Sequence, residues 1–189
     1  MFMPDQPIPP SVSAHDPGGR RKPAWPVDSR VCAQFSDCGR YRYALTEVWD
    51  EKRPTVMFLL MNPSVAGVEH ADPTLIKTGR LARAWGYGGQ LVGNMHAYRV
   101  TDSKLLAGVD DPVGPGNDAA LLEMAGEARM VVLAYGLPPK TLRPRAQAVI
   151  RMLGEMASLQ FLRLTQDGTP AHPLYLPRGL LPQNYSVAW

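Results

Sequence analysis

Three mostly apolar runs of strand length restrict how this chain can fold more than any other feature. They cover residues 55–61, 90–95 and 130–135. A strand has this pattern when both of its faces are covered, as in parallel sheets packed between helices. A further short run, residues 159–164, predicts a fourth strand of the same kind. The four segments therefore predict the core of an α/β fold.

Helical patterns separate the four strands. Helices are predicted over residues 73–85, 117–128 and 146–156. Asp72 followed by proline is typical of an N-cap, and Asn117 is predicted to cap the second helix. Strands that alternate with helices indicate right-handed crossovers, so we expect three layers: a four-stranded, mainly parallel sheet with helices on both faces. The alternating segment 40–49 predicts an additional antiparallel strand at the edge of this sheet.

The start of the chain differs in composition from the rest. The first 26 residues hold seven of the 19 prolines together with a Gly-Gly pair, a composition that resists both helix and sheet. We expect residues 1–27 to form a Pro/Gly-rich N-terminal arm. Residues 28–189 have the length of one domain of ordinary size, so we expect a single α/β domain there.

Composition also bears on the compartment. No apolar run approaches the roughly 20 residues needed to cross a bilayer, and the N-terminus lacks a signal-like apolar segment. Two cysteines, Cys32 and Cys38, are too few for a four-thiolate metal site, and such sparse use fits a reducing environment. We therefore expect a soluble cytoplasmic protein with no membrane partner.

Charge is unevenly distributed, although the net charge is only +3. Residues 72–104 and 137–163 carry an excess of basic side chains, whereas residues 105–130 between them are acidic. The two basic segments would attract phosphates if they met in space. An ordinary solvated surface is the other interpretation, and the sequence leaves both open.

Polar residues appear where the predicted strands end. In α/β sheets, ligands bind beyond the carboxyl ends of the strands, so these residues are candidates for one shared crevice. An asparagine at such a position can instead bond to its own loop backbone. The candidates are Asn62, Pro63, Ser64, Asn94, Arg99, Thr101, Tyr135 and, in the loop after the fourth strand, His172.

Other constellations point to no cofactor. His70, Asp72, His96 and His172 are metal-compatible residue types, but their spacing matches no compact site. Ser64 has no Gly-x-Ser-x-Gly elbow around it, and the chain contains neither Gly-x-Gly-x-x-Gly nor a Walker loop. We therefore expect no metal and no cofactor.

Six motifs in order resemble the domain-of-unknown-function family number 1643 over about residues 38–177, a resemblance that implies no particular activity. The motifs are Met61-Asn-Pro-Ser64, Asp72-Pro-Thr74, Trp85-Gly-Tyr-Gly88, Asn94 with Ala97-Tyr-Arg99 and Thr101, Asp111-Pro-Val-Gly114 with Asn117-Asp118, and Gly168 to His172-Pro-Leu-Tyr175.

A second resemblance concerns chemistry. One strand ends in Asn-Pro, the next in Asn, a third reads Val-Val-Leu-Ala-Tyr-Gly, and a His-Pro follows late in the chain. This order is similar to the uracil-DNA glycosylase superfamily and implies that fold. By this resemblance Asn62 would hold the hydrolytic water, Asn94 would contact the base and His172 would face the leaving group.

The leading hypothesis is a glycosylase-like hydrolase that acts on a base in nucleic acid or on a modified nucleotide. Asn62 and His172 would be catalytic, because a fixed donor near the departing base stabilises its negative charge. The remaining candidates at the strand ends would bind substrate. The alternatives are a non-catalytic module that binds a nucleotide or nucleic acid in the same crevice, and an interaction protein whose crevice residues brace loops. The base and the oligomeric state are left open.

Overall fold

The structure is a computed structural model that describes residues 23–64 and 68–186. These residues form seven β-strands and three α-helices. The strands are β1 (Arg30–Phe35), β2 (Arg42–Val48), β3 (Thr55–Leu60), β4 (Gly89–Asn94), β5 (Val131–Leu133), β6 (Leu159–Phe161) and β7 (Gln183–Asn184). The helices are α1 (Pro73–Ala84), α2 (Asn117–Glu127) and α3 (Arg143–Gly154). Short 3₁₀ helices lie over Ser103–Gly108, Lys140–Leu142 and Pro173–Tyr175.

The described strands form one mixed sheet in the order β1-β2-β4-β3-β5-β6-β7. The neighbours β4, β3, β5 and β6 run parallel, whereas the pairs β1–β2, β2–β4 and β6–β7 are antiparallel. The α/β class is as predicted, but the sheet differs from the four-stranded, mainly parallel sheet with one edge strand. It gains β1 and β7, and β1 pairs along the outer side of β2, so the strand predicted at 40–49 does not form the edge.

The two added strands carry little sequence signal. No residue of β1 is buried: exposed and partly buried residues alternate along it, and it contains no apolar run. β7 has two residues, both exposed. Because both strands lie at the margins of the sheet, neither needs the doubly buried pattern that identifies β3, β4 and β5.

Helices cover both faces of the central strands. Leu75 and Leu81 of α1 pack in one apolar cluster with Phe58 of β3. Met57 and Leu59 of the same strand point the other way, into a cluster that contains residues of α2 and α3. This alternation explains why β3 is apolar at every position from residue 56 to residue 60.

The two predicted helix caps have different outcomes. Asp72 caps α1 as predicted, because its Oδ1 accepts a hydrogen bond from the Leu75 amide at 2.9 Å. Asn117 does not cap α2; Gly116 occupies that position. The Asn117 side chain instead donates to the carbonyl oxygens of Asn94 and Met95 at 3.0 and 3.2 Å. Asn117 therefore ties α2 to the end of β4.

Most of the arm predicted over residues 1–27 lies outside the described residues, which begin at residue 23. The part that is described contacts the loop before α1. The Trp25 indole donates to the Val68 carbonyl at 2.7 Å, and the Ala71 amide donates to the Pro23 carbonyl at 3.1 Å. Within the described residues, every helix is too short or too polar to span a bilayer.

Candidate functional site

A polar cleft of about 400 Å³ lies where β3 and β5 end and β2 begins. The start of α1 forms one wall, and the loop around the 3₁₀ helix Pro173–Tyr175 forms another. A cleft of this size matches the lower end of the range for small-molecule sites. Its polar lining residues are Arg42, Asn62, Ser64, Asp72, Thr74, Thr101, Ser103, Tyr135 and His172.

Five of the eight predicted site residues converge on this cleft: Asn62, Ser64, Thr101, Tyr135 and His172. They come from four separate stretches of the chain, so the fold brings them together from a distance. The expectation that the strand exits share one space is thus met for β3 and β5. The other three candidates, Pro63, Asn94 and Arg99, do not line the cleft.

Asn94 lies too deep in the sheet to reach the cleft. It is the last residue of β4 and pairs with Leu60 in β3, whereas Asn62 lies two residues beyond Leu60. The side chain is fully buried, and neither its Oδ1 nor its Nδ2 has a hydrogen-bond partner among the described residues. Asn62 and Asn94 both come at the end of an apolar strand in the sequence, but the pairing of β3 with β4 places Asn94 two residues further from the carboxyl edge of the sheet than Asn62. For that reason the expectation that Asn94 shares the crevice is not met.

Arg99 and Pro63 hold loops outside the cleft. The Arg99 Nη1 donates to the Gly39 carbonyl at 2.9 Å, and its guanidinium carbon lies 4.9 Å from the centre of the Phe35 ring. Pro63 is buried, and its carbonyl accepts a hydrogen bond from the Val100 amide at 3.1 Å. Both residues therefore stabilise the surroundings of the cleft.

Asn62 reaches the cleft with its amide group already oriented. Its Nδ2 donates to the Val100 carbonyl at 2.6 Å and to the Pro63 carbonyl at 3.2 Å. These two bonds use both amide protons, so the remaining polar atom is the acceptor Oδ1. Asn62 can accept a hydrogen bond from water or ligand, but in this arrangement it has no donor to offer.

Ser64 and Asp72 form a bonded pair on the α1 side of the cleft. The Ser64 hydroxyl lies 3.1 Å from Asp72 Oδ2, while the other oxygen of Asp72 caps the helix. A hydroxyl that donates to a carboxylate in this way is held in place. The pair presents polar oxygen atoms to the cleft next to the N-terminus of α1.

His172 enters the cleft from the loop after β6. Its Nδ1 accepts a hydrogen bond from the Leu174 amide at 3.4 Å, which leaves the proton on Nε2. Burial lowers the pKa of His172 below its ordinary value, and the negative charge of Asp72 partly opposes this shift. The imidazole is therefore neutral at pH 7 and has one N–H to donate.

Gly136 leaves room for the His172 side chain beside the end of β5. The glycine has φ +70°, and a Cβ atom built on it would lie 3.1 Å from the Cβ of His172. Its amide donates to the Pro170 carbonyl at 3.0 Å, which ties the end of β5 to the His172 loop. Tyr135 precedes it; burial raises the pKa of Tyr135, so its hydroxyl keeps its proton.

Like Asp72, Thr74 and Ser103, Arg42 is a polar residue of the cleft that was not among the predicted site residues. It lines the cleft although it is only 2% exposed. Its Nε and Nη1 have no hydrogen-bond partner among the described residues, and no ion pair in that part of the chain includes it. Burial, reinforced by Arg99 and opposed by Asp72, lowers the pKa of Arg42 to about 10, so it is a cation at pH 7.

A β-bulge directs Arg42 toward the cleft. Along β1 and β2, Gln34 pairs with Ala44 and Phe35 pairs with Arg42, so Tyr43 has no partner. Tyr43 packs in a cluster that includes Ala120 of α2, on the opposite face of the sheet from α1. A bulge shifts the alternation of side chains along a strand, so Arg42, which precedes Tyr43, faces the side opposite to Ala44 and lines the cleft. The sequence of residues 40–49 alternates and carries no sign of the bulge, so a buried arginine was not expected there.

No group of three or more metal-ligating side chains is present among residues 23–64 and 68–186. Fold and site together define a mixed α/β protein with a polar cleft at the carboxyl ends of its parallel strands, the place where such sheets bind ligands.

The family model described as "Protein of unknown function (DUF1643)" matches residues 42–174, more than two-thirds of the chain. The chain belongs to this family. The match begins at Arg42 and includes every predicted site residue. No curated protein and no solved structure gives a significant match.

Proposed function

We propose that the cleft binds a nucleotide. The observation that carries this proposal is the combination of a polar interior with an apolar rim. Leu137, Leu174 and Tyr175 line the same cleft, and their exposed fractions are 56%, 37% and 84%. Large exposed apolar side chains around a polar hollow mark binding surfaces, and an exposed tyrosine is a platform on which a base can stack.

The interior supplies groups suited to a sugar and its substituents. Hydroxyls of Ser64, Thr74 and Thr101 line the cleft; those of the two threonines can donate or accept a hydrogen bond, whereas that of Ser64 donates to Asp72 and can accept one. The Nε2–H of His172 adds a donor near the rim, because the His172 ring centre lies 5.6 Å from that of Tyr175. A ligand with one flat apolar part and several polar groups fits this distribution.

Hydrolysis of an N-glycosidic bond is the second candidate function. Two residues support it: Asn62, whose Oδ1 can orient a water, and His172, whose N–H can stabilise a departing base. Water would add to the sugar carbon, the carbon–nitrogen bond would break, and the base would leave with a proton. Asn94, the predicted base contact, lies outside the cleft, so the binding function has the stronger support. The likeness to the uracil-DNA glycosylase fold is part of this second proposal.

Binding and base release can be measured separately. Isothermal titration calorimetry with nucleoside monophosphates tests binding, and chromatography of the same mixtures tests for free base. Tyr175→Ala should weaken binding about 5- to 100-fold if a base stacks there. Met156→Ala is the matched control, because Met156 is 54% exposed and does not line the cleft.

His172→Ala separates the two candidates. If the protein releases base, this variant should lose roughly 100-fold or more in rate, because it removes the donor to the leaving group. The exposed His70 does not line the cleft, and His70→Ala should leave the rate unchanged. Absence of any nucleotide binding to the wild-type protein would refute the leading proposal.

A further inference from the structure

We infer that Arg42 forms a phosphate subsite in the floor of the cleft, so that a nucleotide enters with its phosphate inward and its base at the rim. This inference rests on the proposed nucleotide-binding function and deepens it. Four observations about Arg42 and its surroundings support it, and they concern burial, backbone geometry, neighbouring donors and the position of the rim.

The first observation is that the charge of Arg42 is buried without a partner in the described residues. The side chain is 2% exposed, and its Nε and Nη1 lack hydrogen-bond acceptors there. Asp72 influences it electrostatically but forms no ion pair with it. Buried cations are normally paired, since an unpaired one is strongly destabilising. An anionic ligand in the cleft would supply the missing partner.

The second observation is that the backbone is arranged to place this cation. The bulge at Tyr43 breaks the alternation of β2 immediately after Arg42. The Arg42 amide donates to the Ala97 carbonyl at 2.9 Å, and Arg42 pairs with Phe35 of β1, so its backbone is held by a neighbouring segment on each side. A buried side chain on a backbone held in this way has less conformational freedom to lose when a ligand arrives, which favours binding.

The third observation is the type of donor around Arg42. A guanidinium presents parallel N–H groups that match two oxygens of a phosphate. Hydroxyls of Thr74 and Thr101 line the same cleft and can donate to further oxygens. Thr74 also lies in the first turn of α1, where the helix dipole favours an anion. Several donors around one point suit a tetrahedral anion with many acceptor oxygens.

The charge of Asp72 restricts the form of the anion. Asp72 lines the cleft, although its two oxygens already accept hydrogen bonds from Ser64 and Leu75. Its negative charge opposes a second negative charge nearby, so the subsite should favour a singly charged phosphate group.

The fourth observation is the position of the rim. The exposed Tyr175 lies there, and a base stacked on its ring would leave the phosphate to point toward Arg42.

The test is calorimetric titration of the full-length protein with inorganic phosphate, a nucleoside monophosphate, the same nucleoside without phosphate, and a short 5′-phosphorylated oligonucleotide. The monophosphate should bind roughly 100-fold more tightly than the nucleoside, which corresponds to hydrogen bonds to a charged group. In Arg42→Met this advantage should disappear, and in Arg42→Lys it should be reduced but present. Comparison of the free nucleotide with the oligonucleotide distinguishes the two sources of the phosphate.

Arg30→Met is the matched control, because the Arg30 side chain is 71% exposed and forms an ion pair with Glu51 away from the cleft. Thermal melts of all variants verify folding. Equal affinity for nucleoside and monophosphate in the wild-type protein would overturn the phosphate subsite while leaving nucleotide binding intact. An unchanged phosphate advantage in a folded Arg42→Met would overturn it as well. If neither ligand binds, the proposed function fails together with the subsite.

Discussion

The parallel strands have a hollow at each end, and the two hollows differ in how their polar groups are satisfied. The hollow at the amino ends is larger, about 740 Å³, and its lining includes Trp85 and Gln160. The Trp85 indole donates to the Leu180 carbonyl at 3.0 Å, and Gln160 Nε2 donates to Ser158 and Asn184 at 2.9 and 2.7 Å. The smaller cleft at the carboxyl ends contains the guanidinium of Arg42, whose Nε and Nη1 have no partner among the described residues.

This difference shows that size alone does not identify a binding site. A hollow whose buried donors, such as the Gln160 amide, already have partners within the protein gains little from a ligand. A hollow with a buried cation gains a great deal, because the ligand removes an existing electrostatic penalty. The smaller cleft is for this reason the functional candidate.

The largest expected effect on stability is a loss at acidic pH. The carboxyl end of the sheet holds His96, whose pKa is lowered to about 4, chiefly by burial and then by Arg145. The unfolded chain takes up a proton near pH 6.5, before the folded protein does. The contribution of His96 to the free energy of unfolding should therefore be complete above pH 6.5, fall by up to about 3 kcal/mol as the pH drops to 4, and stay constant below pH 4. Urea unfolding across this pH range measures the loss.

His96→Gln should remove most of this acid dependence and leave the smaller part that comes from His172, whereas the exposed His70 makes His70→Gln a matched control with the wild-type slope. Hydrogen exchange at pH 5 should show the loss first at the end of β4. Equal loss of protection at the amino-end hollow, which is lined by no histidine, would break the contrast between the two ends.

Substitutions of one buried polar side chain in each hollow should have opposite signs. Arg42→Met removes a buried charge that has no partner in residues 23–64 and 68–186, and should stabilise the ligand-free protein by about 1–3 kcal/mol. Gln160→Met removes a side chain whose amide is bonded twice and should destabilise by roughly 1 kcal/mol. Chemical denaturation of both variants measures the pair. Strong destabilisation by Arg42→Met would indicate a structural arginine and remove the contrast.

A smaller effect is expected at Gly136, whose φ is +70° and whose added Cβ would press on His172. Gly136→Ala should destabilise by about 2 kcal/mol and shift the NMR signals of the His172 ring. Gly168 also has positive φ, +76°, but has nothing within 4 Å of an added Cβ. Gly168→Ala should therefore show the backbone strain alone and leave the His172 signals in place. Identical His172 signals in both variants would contradict the packing described for this loop.

The sequence predicted the elements that are buried on both faces and missed those at the margins. The apolar run of β3 and the cap of α1 by Asp72 have local causes, so local patterns sufficed. β1 and β7 exist because a partner strand is available, which no local pattern records. Residues 1–22, most of the predicted arm, lie outside the described residues.

The sequence predicted those parts of the candidate site that follow from the rule that ligands bind beyond the carboxyl ends of the strands. Asn62, Tyr135 and His172 lie at the predicted edge. The height of Asn94 depends on the register between β3 and β4, and the direction of Arg42 depends on a bulge against β1. Register and bulges arise from pairing between distant segments, so periodicity within one segment could not reveal either.

The central claim is that Arg42 meets an anionic ligand in the cleft, and NMR of its side chain tests this most directly. The Nε–H signal of Arg42, assigned by its absence in Arg42→Lys, is followed while a nucleoside monophosphate is added. We expect the signal to shift and to saturate at the affinity measured by calorimetry. An Arg42 signal that stays unchanged while the nucleotide binds would contradict the account.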